Sequence, residues 1–271
     1  MTGSILSIPK SVIIIPARLA STRLPNKLLL SETGKPLIQH TWEAARRSRL
    51  ASGVIVACDH QAIYDAVTRF GGDVRMTRPD AACGTDRIAE VAADLTDVEI
   101  IVNVQGDEPR LAGESIDEVI RLLAANPDAA MSTLATPIRR RELIEDPACV
   151  KVVFDKNGKA LYFSRSVIPY PRNRAEDFLT KTPPLYYQHL GIYAYRREFL
   201  LRFKDFSRPL LETTESLEQL RVLYEGYSIQ VGVVEESLFG IDTPEDYRLF
   251  VEMERKENGG KDENDKTAKG E

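Results

Sequence analysis

Arg18, Arg23 and Lys27 lie within ten residues of one another, directly after the apolar run Val12–Ile15, in the stretch SVIIIPARLASTRLPNKLLL (Ser11–Leu30). No acid occurs between Met1 and Leu30, although the whole chain carries a formal net charge of −5. Arginine offers a planar fork for bidentate phosphate contact, and lysine a compact point charge. A cation-bearing loop at the C-terminal end of a strand is also where α/β folds bind ligands. The spacing therefore suits capture of a small anion; a solvated basic turn is the alternative. No glycine lies between Ser11 and Thr33, so the loop is neither a Walker A sequence nor a GxGxxG fingerprint. Side-chain cations, with backbone N–H groups around Ala17 to Thr22, would have to hold the anion.

The elements that must position this loop alternate between strand-like and helix-like runs, the pattern of an α/β protein with a mostly parallel sheet. Strands are predicted at VIII (Val12–Ile15), GVIVAC, DVRMT and EIIVNV. The fourth is strongly apolar and is expected to be central. Helices are predicted at KPLIQHTWEAARRS, at HQAIYDAVTRFGG with a stop at Gly71 and Gly72, at TDRIAEVAADL capped by Thr85 or Asp86, and at ESIDEVIRLLAAN. Beyond Asp128 the texture changes. AAMSTLATPI reads as a strand, and VKVVFDKNGKALYFS as a hairpin around Asn157-Gly158. Pro169–Pro184 forms a long Pro-rich loop, a length that is often functional. YYQHLGIYAYRREF is a strand running into a short helix. TTESLEQLRVLYEG is an amphipathic helix with Leu217, Leu220 and Tyr224 on one face, and YSIQVGVVEE is a late strand. DTPEDYRLFVEMERK is the last helix, with Thr243 as N-cap, Pro244 at the first position and Asp246 at the third. The tail 258–271 has almost nothing to bury and is expected to be disordered.

Composition narrows the partners. With 43% hydrophobic and 28% charged residues the chain is of ordinary globular type, long enough for one large domain or two modest ones. Its acidic balance argues against a nucleic-acid partner, which would call for a basic stripe. No apolar run reaches the roughly 18–20 residues that span a bilayer, so no membrane insertion is expected. Cys58, Cys83 and Cys149 form no CxxC pair or even-numbered framework, which suits a reducing cytoplasm. His40, His60 and His189 lack zinc-ligand spacing.

The stretches PARLASTRLPNKLL, CGTDRIAE, NVQGDEP, LYFSRSVIP, QHLGIYAYR, LEQLRVL and GIDTPED follow one another in this order. Jointly they resemble the 3-deoxy-manno-octulosonate cytidylyltransferase (CMP-Kdo synthetase) family, and the resemblance runs from Val12 to Phe250. It implies a Rossmann-like, mostly parallel sheet flanked by helices, of the nucleotide-diphospho-sugar transferase type, with a smaller mixed sugar-binding and dimerisation subdomain. One domain is expected over 11–257, its nucleotide-binding half at 11–128 and its sugar-binding and dimerisation half at 129–257. The implied reaction joins CTP and 3-deoxy-D-manno-octulosonate (Kdo) into CMP-Kdo and diphosphate, with Mg²⁺, for lipopolysaccharide biosynthesis. A cytoplasmic homodimer is implied as well.

Residue roles carried by the resemblance follow the motifs. The anion of the opening loop becomes the triphosphate of CTP, met by Arg18, Arg23 and Lys27 and lined by Pro16, Ala17 and Ser21. Gly84, Thr85 and Arg87 form the base-recognition loop; a helix cap at Thr85 is compatible with that role. Asp107 and Asp242 are the metal ligands, with Glu108 as the weaker alternative at the first; a turn role for Asp107 and a helix-terminus role for Asp242 are the structural alternatives. Arg18, Lys27 and Asp107 are the catalytic set. Gln105, Arg165, His189, Tyr193, Glu218 and Gln219 are assigned to the sugar, with Arg165 as partner of its carboxylate. Another acidic sugar, such as sialic acid or an amino-substituted Kdo, is the competing substrate. A non-catalytic nucleotide-sugar binder would not need Lys27, Asp107 and Asp242 together, and a dinucleotide oxidoreductase would need the missing glycine fingerprint.

Overall fold

A computed structural model describes residues 8–81, 83–172, 178–235 and 239–267, with side chains through Glu257. The strands are β1 (Ser11–Ala17), β2 (Ala51–Cys58), β3 (Asp73–Met76), β4 (Ile100–Asn103), β5 (Ala129–Pro137), β6 (Lys151–Phe154), β7 (Ala160–Ser164), β8 (Tyr187–Arg196) and β9 (Ser228–Val233). The helices are α1 (Leu37–Ala45), α2 (Gln61–Arg69), α3 (Gly84–Ala93), α4 (Gly113–Ala125), α5 (Arg141–Glu145), α6 (Arg197–Phe203), α7 (Leu210–Glu215), α8 (Gln219–Tyr224) and α9 (Pro244–Thr267).

One nine-stranded sheet runs in the order β3-β2-β1-β4-β8-β5-β9, with the β6–β7 hairpin attached to β8 at Lys151 and Gln188. The first four strands are mutually parallel where they pair, β8 inserts antiparallel between β4 and β5, and β9 is parallel to β5. The second half thus extends the first half's sheet. β4 lies near the middle and all four of its residues are buried, as its apolar run requires. Helices cover both faces over two apolar clusters. Ile13, Ile15, Leu37 and Phe250 belong to one; Ile14, Ile101, Phe163 and Leu200 belong to the other. The alternation of Ile13, Ile14 and Ile15 between them is the two-residue period of a strand buried on both faces.

Three expectations need correction. TTESLEQLRVLYEG is not one helix: α7 ends at Glu215, Ser216 takes a left-handed conformation (φ 51°, ψ 49°), and α8 starts afresh at Gln219. The break lets Glu212 and Arg221, both buried, form an ion pair with Arg221 Nε 2.6 Å from Glu212 Oε2, while the guanidinium sits 4.4 Å above the Phe203 ring. Leu217 and Leu220 are buried, but Tyr224 is exposed, because the α8 register turns it outward. Neither Thr85 nor Asp86 caps α3. The N-cap is Cys83, and Thr85 lies inside the helix with its hydroxyl committed to Glu218. The helix α9 is drawn through Thr267. Residues 268–271 of the tail and 173–177 of the Pro-rich loop lie outside the described residues.

The start of α9 has the expected reciprocal cap. Asp246 N–H donates to Thr243 Oγ1 at 3.1 Å, and Asp246 Oδ2 accepts from Thr243 N–H at 2.8 Å and from Asp242 N–H at 3.0 Å. Gly158, at φ 80°, makes the β6–β7 turn that the Asn-Gly pair announces.

Candidate active site

β1 and β4 run parallel and side by side, so the loops leaving their C-terminal ends meet. β2 follows β1 on one side and β4 lies on the other, which makes this junction the point where strand order reverses and a crevice opens. The loop after β1 carries Arg18 through Lys27, and the loop after β4 carries Gln105 and Asp107. The loops approach closely at Gly106, where an added Cβ would stand 3.3 Å from the Pro16 carbonyl oxygen and 3.3 Å from the Leu28 side chain. The segment before α9 joins them through a backbone bond, Ile241 N–H to the Asp107 carbonyl at 2.9 Å. Asp107 and Asp242, 135 positions apart, thereby become neighbours.

Lys27 is the centre of the resulting charge cluster. Its Nζ lies 2.5 Å from Asp107 Oδ2 and 3.1 Å from Asp242 Oδ1, and its side chain is only 11% exposed. Arg23 reaches the same Asp242 oxygen at 2.9 Å from a much more exposed position. Arg18 is exposed at the crevice. The Lys27 turn is a short 3-10 helix over Lys27–Leu29, preceded by Asn26 in the left-handed region (φ 53°), and buried Leu28 pins it to the core. Glu108, one residue past Asp107, is buried, and its Oε2 has no partner among the described residues. Burial, followed by the charges of Asp107 and Asp242, pushes its carboxyl up to about 8.

A cavity of about 380 Å³ occupies the crevice. Pro16, Ala17, Arg18, Ser21, Arg23 and Lys27 form one wall. Cys83, Gly84 and Arg87 face them, and Gln105, Asp107 and Asp242 form the floor. Arg87 is a buried brace here. It bonds Thr77 Oγ1, the Arg78 carbonyl at 3.3 Å and Asp59 Oδ2 at 3.2 Å. The other Asp59 oxygen accepts from Leu19 N–H at 2.9 Å, so Arg87 and Asp59 together fix the cationic loop. The Cys83 thiol is pushed up to about 11 by burial, with Glu218 adding to it, and is therefore no nucleophile at neutral pH.

Gly84, Gln105 and Glu218 also line a second compartment of about 220 Å³, which connects the two spaces. Its wall includes Thr85, Tyr193 and Gln219. Thr85 Oγ1 donates to Glu218 Oε2 at 2.7 Å, tying α3 to α8 across the junction. Burial, then the charges of Glu218 and Glu108, raises the Tyr193 hydroxyl, which stays protonated as a donor. Of the sequence-derived sugar set, Gln105, Tyr193, Glu218 and Gln219 come together here.

Arg165 and His189 are not among the residues lining either space. Arg165 Nε donates to the Glu215 carbonyl at 2.7 Å, one residue before the rim residue Ser216, and buried Lys151 donates to the Arg165 carbonyl at 2.6 Å. His189 is buried beside Phe163, with Nε2 3.1 Å from Thr133 Oγ1. Burial lowers its imidazole to about 3. A base whose folded value lies below its ordinary 6.5 contributes stability that is complete above pH 6.5 and is lost as pH falls toward 3. His189→Gln is expected to flatten the fall in melting temperature between pH 6.5 and 4. Melting curves across that range check it, and an unchanged slope would place the acid sensitivity elsewhere. A further cavity, about 230 Å³ with Ile144, Val167, Phe178 and Tyr186 in its wall, holds none of the residues assigned from sequence.

Sequence reasoning missed Asp59, Asn103 and Tyr195. Asp59 directly follows the second predicted strand, so the strand-end rule that selected Asp107 selects it too. Asn103 is the one polar residue within the run IIVNV, which is itself a signal.

A cytidylyltransferase family model matches residues 12–231. The 3-deoxy-manno-octulosonate cytidylyltransferase of Rhodopirellula baltica is 50% identical over 243 residues, covering 89% of this chain and 97% of that protein. Its namesake from Geobacter sulfurreducens is 47% identical over 243 residues, covering 88% and 97%. A CMP:2-keto-3-deoxy-manno-octonic acid synthetase solved in complex with CTP superposes with a TM-score of 0.84 at 38% identity, covering 92% of this chain and 99% of that one.

Proposed function

The chain belongs to the 3-deoxy-manno-octulosonate cytidylyltransferase family, and from that premise we infer that it joins CTP and Kdo to give CMP-Kdo and diphosphate, the activation step of lipopolysaccharide biosynthesis. The observation that carries the reading to this chain's own residues is the convergence of Lys27, Asp107 and Asp242 at the β1–β4 crevice, next to a second, polar compartment.

In the reaction a bond forms between the anomeric oxygen of Kdo and the α-phosphorus of CTP, and the bond from that phosphorus to the departing diphosphate breaks. Such a transfer needs alignment and charge neutralisation above all. Arg18, Arg23 and Lys27 bind the triphosphate, and Lys27 meets the charge that grows on the leaving oxygen. Ser21 and the backbone after Ala17 add donors. Gly84 and Thr85 line the path from the base to the sugar, and Arg87 holds that loop through Asp59. Gln105 and Glu218 stand at the junction where the two substrates meet. Arg165, beside the rim at Ser216, takes the sugar carboxylate, and His189 packs behind the wall residue Tyr193, ring centroids 5.4 Å apart, on the sugar side.

Asp107 and Asp242 fit a Mg²⁺ site. Both are oxygen donors, and both converge on one ammonium. Two carboxylates completed by phosphate oxygens and water are a usual set for this ion. Bound there, the ion would neutralise phosphate charge. The assembly is read as a cytoplasmic homodimer. The three cysteines are free, and no helix among the described residues is long and apolar enough to cross a membrane.

Diphosphate release with a panel of nucleotides and acidic sugars, with and without Mg²⁺, tests the function. CTP with Kdo should give the highest kcat/KM. UTP should be at least about tenfold poorer, because a pocket that hydrogen-bonds the cytosine amino group leaves partners unpaired without it. Equal rates with UTP would overturn the base assignment, and no release with any acidic sugar would overturn the function.

A further inference from the structure

We propose that Glu215 is a positioning residue for the sugar, fixing Arg165 beside the rim of the second compartment. The proposal rests on reading Arg165 as the partner of the sugar carboxylate. Glu215 is the last residue of α7, Ser164 is the last of β7, and Arg165 follows directly. Three bonds join these distant segments. Glu215 Oε1 accepts from Ser164 Oγ at 2.6 Å, and Oε2 accepts from Arg165 N–H at 2.9 Å. The Glu215 carbonyl accepts from Arg165 Nε at 2.7 Å. One residue thus grips both the backbone and the side chain of Arg165. The Arg165 carbonyl is held separately by Lys151 Nζ, which is fully buried and also donates to the Asp146 and Cys149 carbonyls at 2.9 and 2.6 Å.

The kind of acceptor matters as much as the number of bonds. The Arg165 guanidinium donates to the Glu215 carbonyl from Nε and to the Pro147 carbonyl from Nη1, the latter at 3.0 Å. Both acceptors are neutral, so the fork is held in place while its charge stays available to an anion. The Glu215 carboxylate bonds a hydroxyl and a backbone N–H instead. Ser164 is 3% exposed, which anchors that grip in the core. The chain then runs straight into the compartment: Ser216, in the left-handed region at φ 51°, and Leu217, Glu218 and Gln219 after it all line the space. Glu215 therefore sets Arg165 and the α8 wall in one frame. Removing its side chain releases the end of α7 from β7, and with it the carbonyl that holds Arg165 Nε.

The test is a double-mutant cycle of Glu215→Ala and Arg165→Met on the full chain, with Glu215→Gln as the conservative variant. Equilibrium binding of Kdo and steady-state diphosphate release are measured for each. Glu215→Ala should raise the KM and the dissociation constant for Kdo about tenfold, the range of a lost charge-assisted hydrogen bond. Its KM for CTP should stay within about twofold. In the Arg165→Met background the same substitution should cost less than about twofold, because a residue that acts through another has no further effect once that other is gone. Glu215→Gln should return Kdo affinity to within about threefold of the wild type, since its amide oxygen still accepts from the Arg165 N–H and its NH₂ can meet the Ser164 hydroxyl. Should Glu215→Ala fail to fold, Glu215→Asp, which withdraws both oxygens by one methylene, carries the same cycle. An unchanged Kdo affinity on substituting Glu215 would overturn the proposal. So would an equal loss with and without Arg165, or a parallel rise in both KM values, the marks of a merely structural role. Normal Kdo affinity in Arg165→Met would overturn the carboxylate assignment beneath it, and a wild-type enzyme that neither binds nor converts Kdo would sink the functional reading itself.

Discussion

Asp107→Asn and Asp242→Asn are each expected to lower kcat by about a thousandfold or more, the scale of losing charge stabilisation at a metal-assisted phosphoryl transfer. The double variant should lose little beyond the worse single one, because residues that serve one centre are not additive. Asparagine keeps the size and much of the hydrogen bonding but lacks the charge that a hard cation needs. The geometry also removes the rival role for Asp242. Thr243 and Asp246 cap α9, and the Asp242 side chain instead points to Lys27 and Arg23. Asp242→Asn should therefore unfold within about 0.5 kcal/mol of the wild type, as expected for a substitution at a part-exposed site whose backbone bonds persist. Turnover measured against Mg²⁺ concentration for the three variants, beside urea unfolding, checks both statements. Full additivity would show two independent roles, and near-wild-type turnover in either single variant would remove that carboxylate from the centre.

Lys27→Met is expected to lower kcat by about 10²–10³-fold, the effect of deleting one preorganised donor aimed at developing charge. The KM for CTP should rise far less, since Arg18 and Arg23 still hold the triphosphate. Lys27 is mostly buried between two carboxylates, so its loss also leaves Asp107 and Asp242 to repel each other. That repulsion should strengthen the variant's dependence on Mg²⁺, a readout separate from the lost rate. A variant with normal kcat and normal Mg²⁺ dependence would reduce Lys27 to a strut holding the loops together.

The local chemistry of this chain was legible because it is written in contiguous segments. The strand periodicity around Val12–Ile15, the cap at Thr243 and Asp246, and the Asn157-Gly158 turn depend on neighbours a few residues away. Those short-range preferences survive into the folded chain. The motifs likewise identified the family and brought Arg18, Lys27, Asp107 and Asp242 to attention one at a time.

Tertiary structure decided what these residues do to one another. Only the sheet order, with β1 beside β4, and the Ile241–Asp107 backbone bond bring both carboxylates onto Lys27. A left-handed Ser216 broke the helix that periodicity predicted, and the break sets Glu212 against Arg221 beneath Phe203. Burial by distant elements likewise turned Arg87 into a brace and enclosed His189 beside Phe163 and Thr133. Sequence alone thus determined the residue types, the short-range elements and the family. Partners and charge states were settled only in the fold, because both depend on desolvation and on contacts between segments far apart in the chain.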